Sequence, residues 1–380
     1  MSPILPGSTI GSLGGGQLGR MTAMAARSLG YRVQVLDPDP SCPARFVVDA
    51  CFEASWDDAA QAANLARGCD VVTLEIEQVS IASLNAAAKY APVRPNAAVL
   101  EIVQDRIRQK QWLEKQGMPL GSWRPVLKEE DLQRATQDFG RVFLKSAHGG
   151  YDGRSQAKIG FTANPREAEA VQAWQSLGQR PCVAEQALSL EMEISVMVAR
   201  RPSGQMLAFP PARNHHENQI LAWSVIPAIL PPELHSKASE IAIAIASAFQ
   251  LEGLMAVEMF VTTDGDLLVN ELAPRPHNSY HASERACVTS QFEQAVRAIC
   301  DLPLGQVDLV RPAAIVNLLG DVWLKEHPPQ FDRALAIPGV DVHLYEKHVP
   351  RPGRKMGHLS ALADTPEEAV KRVLEAKKVL

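Results

Sequence analysis

Five short apolar runs in the first hundred residues, at 9–13, 32–36, 46–48, 70–74 and around Val93, alternate with stretches of helical periodicity. Runs of that length between amphipathic helices read as strands of βαβ units, and such units build a parallel sheet with helices on its faces. Gly30 closes the first helix, expected over 17–29, while Pro38 and Pro40 stop the second strand. The sheet is expected to end near Pro95.

Beyond it the rhythm changes. A basic helix is expected over 105–116, with Gly117 and Pro119 as stop signals. Strands at 143–146, 182–185 and 193–198 then surround a Gly-rich loop at 149–153 without regular helices between them, the mark of an α+β region. Pro231 and Pro232 precede a helix over 233–250, and strands at 253–261 and 267–272 flank Asp264-Gly265, a strong hairpin signal. From about Arg311 the chain holds short strands, a basic Pro/Gly stretch at 350–354 and a terminal helix from Thr365.

Composition narrows the function. With 38 Lys and Arg against 43 Asp and Glu, the net charge of −5 gives no overall attraction to nucleic acid or an anionic membrane, so any phosphate site must be local. No apolar stretch nears the ~20 residues of a membrane span, and the first residues lack a basic signal region. A cytoplasmic protein is expected. The six cysteines, with no C-x-x-C pair, read as reduced packing residues.

The Gly14-x-Gly16-x-x-Gly19 turn follows a strand and opens a helix, so its backbone N–H groups form an anion site. Asp37 stands where a dinucleotide fold places its ribose-binding acid, which leaves an NAD site, another phosphate ligand and plain packing all open. A two-residue turn at Asp264-Gly265 would set Glu258 opposite Glu271, and facing carboxylates call for a cation such as a divalent metal between them. A longer turn would shift the register and part them. Lys145, followed by glycines at 149, 150 and 153 and by Arg154, suits a flap over polyphosphate or else a plain surface turn. Arg351, Arg354 and Lys355 form an anion clamp if a phosphate lies beside them, and a solvated loop otherwise. His215-His216 and His277 with His281 read as polar contacts rather than metal ligands.

Five motifs in order carry a resemblance over nearly the whole chain. They are Gly14-Gly15-Gly16-Gln17-Leu18-Gly19-Arg20, Asp105-Arg106, Gly149-Gly150-Tyr151-Asp152-Gly153-Arg154, the run from Asn270-Glu271 through Arg275-Pro276-His277-Asn278-Ser279, and Arg351-Pro352-Gly353-Arg354-Lys355-Met356-Gly357-His358. The chain resembles the N5-carboxyaminoimidazole ribonucleotide synthetases, ATP-grasp ligases of purine biosynthesis that use ATP and bicarbonate on aminoimidazole ribonucleotide.

That resemblance implies an ATP-grasp fold of mixed α/β and α+β class. Its parts would be a Rossmann-like N-terminal domain at 1–104, an ATP-grasp domain at 105–310 with a lid at about 120–190, and a small C-terminal domain at 311–380. ATP would meet Arg106, Lys145 and the loop Gly150, Tyr151, Asp152, Gly153, Arg154, Ser155 and Gln156. Adenine would lie against Glu185, Gln186, Ala187 and Leu188 and the ribose on Glu193, with His216 and Asn270 completing the nucleotide contacts; Glu258 and Glu271 would hold Mg²⁺. Ala273 replaces the Asn of the Glu-x-Asn common among ATP-grasp enzymes, so Mg²⁺ would keep more water or phosphate ligands. Gly16, Gln17, Leu18, Glu75, Arg351 and Lys355 would bind aminoimidazole ribonucleotide, while Arg275, His277 and Asn278 meet bicarbonate or carboxyphosphate. Asp152, Arg154 and Lys355 would orient the amine. A homodimer is implied, and so is a separate mutase acting on the product.

Overall fold

The N-terminal sheet is parallel, as the alternation requires. Its strands Ala50–Glu53, Arg32–Asp37, Thr9–Leu13 and Val71–Leu74 lie side by side in that order, and Val93 joins Val72 by a single parallel bridge. The structure is a computed structural model that describes residues 2–149, 155–161 and 166–380. The run at 46–48 is not the strand expected there. Pro43 has its φ preset for the first position of a short 3₁₀ helix, Pro43–Phe46, Phe46 is 56% exposed, and the strand starts only at Ala50.

A nine-stranded sheet organises most of the remaining chain. Its main path runs Leu267–Ala273, Gly253–Thr262, Leu190–Arg200, Ala212–Glu217, Ile220–Ile226, Ala313–Leu319, Lys355–Leu362 and Val340–Leu344, with Met206–Ala208 beside Leu190–Arg200. Pairing of Ile220–Ile226 with Ala313–Leu319 carries this sheet into the C-terminal segment without a break. Period-2 alternation splits the side chains between two cores. Met255 and Val257 pack with Ala242 and Ile245 of helix Pro232–Ala248, whereas Leu254 and Ala256 pack with Ala295 and Ala298 of helix Gln291–Ile299.

Helix Gln17–Ser28 also lies against Gln291–Ile299, joining the N-terminal unit to the central sheet. Arg94, only 2% exposed, locks that junction by donating to Glu252 at 2.8 Å and to the Ile299 carbonyl at 2.6 Å. A third, antiparallel sheet orders Trp123–Val126, Cys182–Gln186, Val142–Ser146 and Gln156–Ile159, and Lys145 and Glu185 stand on its two middle strands. All six cysteines are free, and among the described residues no helix is long and apolar enough to cross a membrane.

Candidate active site

Glu258 and Glu271 do face each other, by a route the two-residue turn does not describe. Val261 pairs with Leu267 and Met259 with Val269, a register set by a three-residue loop at 263–265 that Thr262 N–H closes onto Asp266 O at 2.9 Å. Gly265 supplies its positive φ of 86°. That register alone sets Asn270 opposite Glu258. A bulge at Asn270 adds one residue and returns Glu271 to the opposed position, so the longer loop and the bulge offset each other.

Both carboxylates line a cavity of about 490 Å³. Burial would raise the carboxyl of Glu258, yet His277, whose Nε2 lies 3.2 Å from Oε1, together with His216 and Lys145 holds it down to about 2. His277 is itself fixed: its Nδ1 shares a 2.8 Å hydrogen bond with Ser279 Oγ, and its N–H donates to Gln291 Oε1 at 2.8 Å. Glu271, with 45% of its side chain exposed, has Oε1 3.7 Å from Arg106. Two ionisable oxygen donors against one cavity suit a hard divalent cation such as Mg²⁺.

Helix Arg106–Lys115 builds a second wall. Asp105 caps it by accepting from the N–H groups of Ile107 and Arg108. Arg106 donates to the Ser146 and Gly149 carbonyls at 3.0 and 2.8 Å, holding the stem of the Gly-rich loop. Four residues on, Lys110 lies on the same face and pairs with Glu185 at 2.9 Å, and Lys145 reaches the other Glu185 oxygen at 2.6 Å. Burial favours a neutral Glu185, but the two ammonium groups outweigh it and hold the carboxyl down to about 2. The trio keeps one positive charge in excess, buried where an anionic guest would feel it most. Nearby, burial works against charging His216, and the 2.6 Å contact from Glu193 prevails and raises its pKa.

The Gly-rich turn is not the open anion site its pattern suggests. Glu75 accepts from the N–H groups of Gly16 and Gly19 at 2.7 and 2.8 Å, and Asp37 accepts from those of Gly15 and Asp39 at 2.7 and 2.8 Å. A Cβ on Gly14 or Gly16 would collide with Glu75, so those glycines admit a carboxylate rather than a pyrophosphate. Burial raises the carboxyls of both Asp37 and Glu75. The dinucleotide alternative therefore falls: Glu75 sits on the turn's N–H groups, and Asp37 is spent on the turn itself.

Lys347 ties this turn to the cavity, donating to Gln17 Oε1 and to the Lys355 carbonyl, each at 2.8 Å. Lys355 lines the cavity. Arg275 is held by Glu77 at 2.7 Å, and a second cavity of about 260 Å³ shares Arg106, Glu271, Leu272 and Arg275 with the first. Asn278 is 6% exposed, and neither polar atom of its amide has a hydrogen-bond partner among the described residues.

Of the residues expected from sequence, Arg106, Lys145, Ser155, Gln156, Glu185, Gln186, Leu188, Glu193, His216, Asn270, Arg275, His277, Asn278 and Lys355 line the same cavity as the two glutamates. Ala187 is not among its lining residues; its N–H donates to Arg141 O at 2.9 Å. Gly16, Gln17, Leu18 and Glu75 stand at the N-terminal turn, and Arg351 is exposed, in a loop folded against Gly320. Gly150, Tyr151, Asp152, Gly153 and Arg154 lie outside the described residues. Lys110, Lys347 and Glu77 were not anticipated. Lys110 carried a signal, one helical turn after Arg106; the other two bond across long sequence separations that no local pattern announces.

Three family models match the chain. They are the ribonucleotide synthetase preATP-grasp domain over residues 7–104, the ATP-grasp domain over 111–292, and the phosphoribosylaminoimidazole carboxylase C-terminal domain over 313–372. The N5-carboxyaminoimidazole ribonucleotide synthase of Bacillus subtilis is 38% identical over 97% of this chain and 95% of its own. That of Brucella melitensis is 40% identical over 94% and 97%. A crystal structure of an N5-carboxyaminoimidazole ribonucleotide synthetase with ADP matches at a TM-score of 0.92 and 40% identity, over 99% of this chain and 98% of that one. The Aspergillus clavatus synthase in complex with ADP and 5-aminoimidazole ribonucleotide matches at 0.87 and 30%, over 98% and 99%.

Proposed function

Since the chain belongs to the N5-carboxyaminoimidazole ribonucleotide synthetase family, we propose a division of labour among its site residues that follows from their geometry. The protein is an ATP-grasp ligase that carboxylates aminoimidazole ribonucleotide with bicarbonate in purine biosynthesis, converting ATP to ADP and phosphate.

In this reading Lys145 and Arg106 receive the phosphates, with Ser155 and Gln156 beside them and Lys110 behind, adding its charge through Glu185. The apolar side chains of Phe143 and Leu188 take the adenine next to the 185–188 segment, and the Glu193–His216 pair takes the ribose. Glu258 and Glu271 hold Mg²⁺, which when bound offsets charge on the β- and γ-phosphates. Arg275, aimed by Glu77, joins His277 and Asn278 in binding bicarbonate. Lys355, Gln17 and Glu75 receive aminoimidazole ribonucleotide, with Arg351 near its phosphate.

A bicarbonate oxygen attacks the γ-phosphorus and the bond to the bridging oxygen breaks, giving ADP and carboxyphosphate. The C–O bond of carboxyphosphate then breaks to CO₂ and phosphate. The exocyclic amine adds to CO₂ and loses one proton, which the released phosphate accepts. Nothing here needs a nucleophilic side chain; positioning and charge neutralisation do the catalysis, which is why cations and carboxylates dominate the cavity.

The strongest support is the Glu258–Glu271 pair facing a wall with an excess positive charge across one cavity. Coupled ADP release, with each of the three substrates omitted in turn, tests the reading, and labelled bicarbonate should enter an acid-labile carbamate of aminoimidazole ribonucleotide. Glu271→Gln should lower metal-dependent turnover by roughly a hundredfold or more with an unchanged melting temperature; near-normal turnover would remove Glu271 from the site. The same reading makes the protein a cytoplasmic homodimer, to be checked by light scattering, whose product passes to a separate mutase because its new carboxyl sits on nitrogen.

A further inference from the structure

A group of imidazoles lies outside the cavity, where the C-terminal strands end the central sheet. Antiparallel pairing of Val340–Leu344 with Lys355–Leu362 sets His343 directly across from His358, with their rings stacked at 5.2 Å. Glu284, on the short helix Ser283–Ala286, brings a carboxylate oxygen to 3.9 Å from His343 Nδ1. One ligand atom from each of these three residues lies within 4.8 Å of the others. We propose that Glu284, His343 and His358 form a binding site for a divalent transition-metal ion of the zinc class, distinct from the site of ATP cleavage.

Two imidazole nitrogens and one carboxylate oxygen make a donor set that zinc accepts and that suits Mg²⁺ poorly. His358 Nδ1 is already engaged with the buried Tyr345 hydroxyl at 2.8 Å, which fixes the ring and leaves Nε2 for the ion. Such an outer partner is the usual companion of a metal-binding histidine.

His281, 1% exposed, stacks on His358 at 4.9 Å, and its Nε2 has no hydrogen-bond partner among the described residues. Glu284 is exposed, which gives an ion a path in, and Asp341 is committed to Arg285 at 2.8 Å, leaving a fourth position to water. Ligands of a tetrahedral zinc lie about 3.3 Å apart, so the triad closes by side-chain rotation, chiefly of the exposed Glu284. The ion would cross-link this helix to two strands, one of which begins at Lys355.

Full-length protein, stripped of metal by a chelator and free of nucleotide and Mg²⁺, is titrated with Co²⁺ and then Zn²⁺. One equivalent of Co²⁺ should bind at micromolar concentration with the visible absorption of a low-coordinate site, and Zn²⁺ should displace it. His343→Ala should weaken this binding by about ten- to a hundredfold while melting normally and retaining ATP-dependent turnover, and Glu258→Gln should leave the titration unchanged. Absence of Co²⁺ binding up to about 100 µM, or wild-type binding by His343→Ala, would overturn the site. Loss of binding in Glu258→Gln but not in His343→Ala would put the ion in the catalytic cavity and overturn it equally.

Discussion

Glu185 sets the charge of the cavity wall beside Lys110 and Lys145, and its ionisation has a stability consequence. Its folded pKa of about 2 lies below the ordinary 4.5, so the carboxylate contributes stability in full above about pH 4.5 and loses it as the pH falls toward 2. Glu185→Gln leaves Lys110 and Lys145 buried without their counter-charge, at a cost of about 3–5 kcal/mol. Thermal melts from pH 7 to 3 should show a lower, flatter profile for the variant, and a curve parallel to the wild type would refute the assignment. At this scale the sequence was informative where a residue sits in a motif. Lys145 follows an apolar run and precedes three glycines, so its place at the cavity was legible. Glu75 was expected beside substrate, but its seat on the Gly-rich turn joins residues more than fifty apart, and no periodicity marks it.

The hairpin carries the lesson at the scale of elements. Facing carboxylates were read correctly from a loop length that was one residue short, because the bulge restored the pairing. A trace of that bulge exists in the sequence: the buried positions Leu267, Val269 and Leu272 are spaced by two and then by three. Deleting Asn270 should therefore regularise the ladder while keeping the two glutamates opposed. Lys145 and Lys110 would lose the Asn270 side-chain and main-chain oxygens they now reach at 3.3 and 3.1 Å. The KM for ATP should rise roughly ten- to a hundredfold with Mg²⁺-dependent turnover retained, as steady-state kinetics would show. Complete loss of turnover would mean that the bulge, and not the pairing, positions the metal ligands. The misplaced strand at 46–48 has a comparable cause, since the preference of Pro43 for a helical start outweighed a short apolar run.

On the scale of the whole molecule, Lys347 joins Gln17 to Lys355 across more than three hundred residues of chain. Lys347→Ala should raise the KM for aminoimidazole ribonucleotide about tenfold or more and leave that for ATP within about twofold, if the tie serves one substrate as proposed; equal changes would argue for a general structural role. The resemblance implies a small C-terminal domain at 311–380, and the strands of that segment pair directly with the central sheet, since pairing partners are chosen by tertiary context rather than by local pattern. If residues from Ala313 onward were removed, Ile220–Ile226 would become a bare border of unpaired backbone carrying Leu221, Val225 and Ile226. Such a border recruits neighbouring chains, so the C-terminal strands work as a seal that keeps the enzyme from sticking to itself.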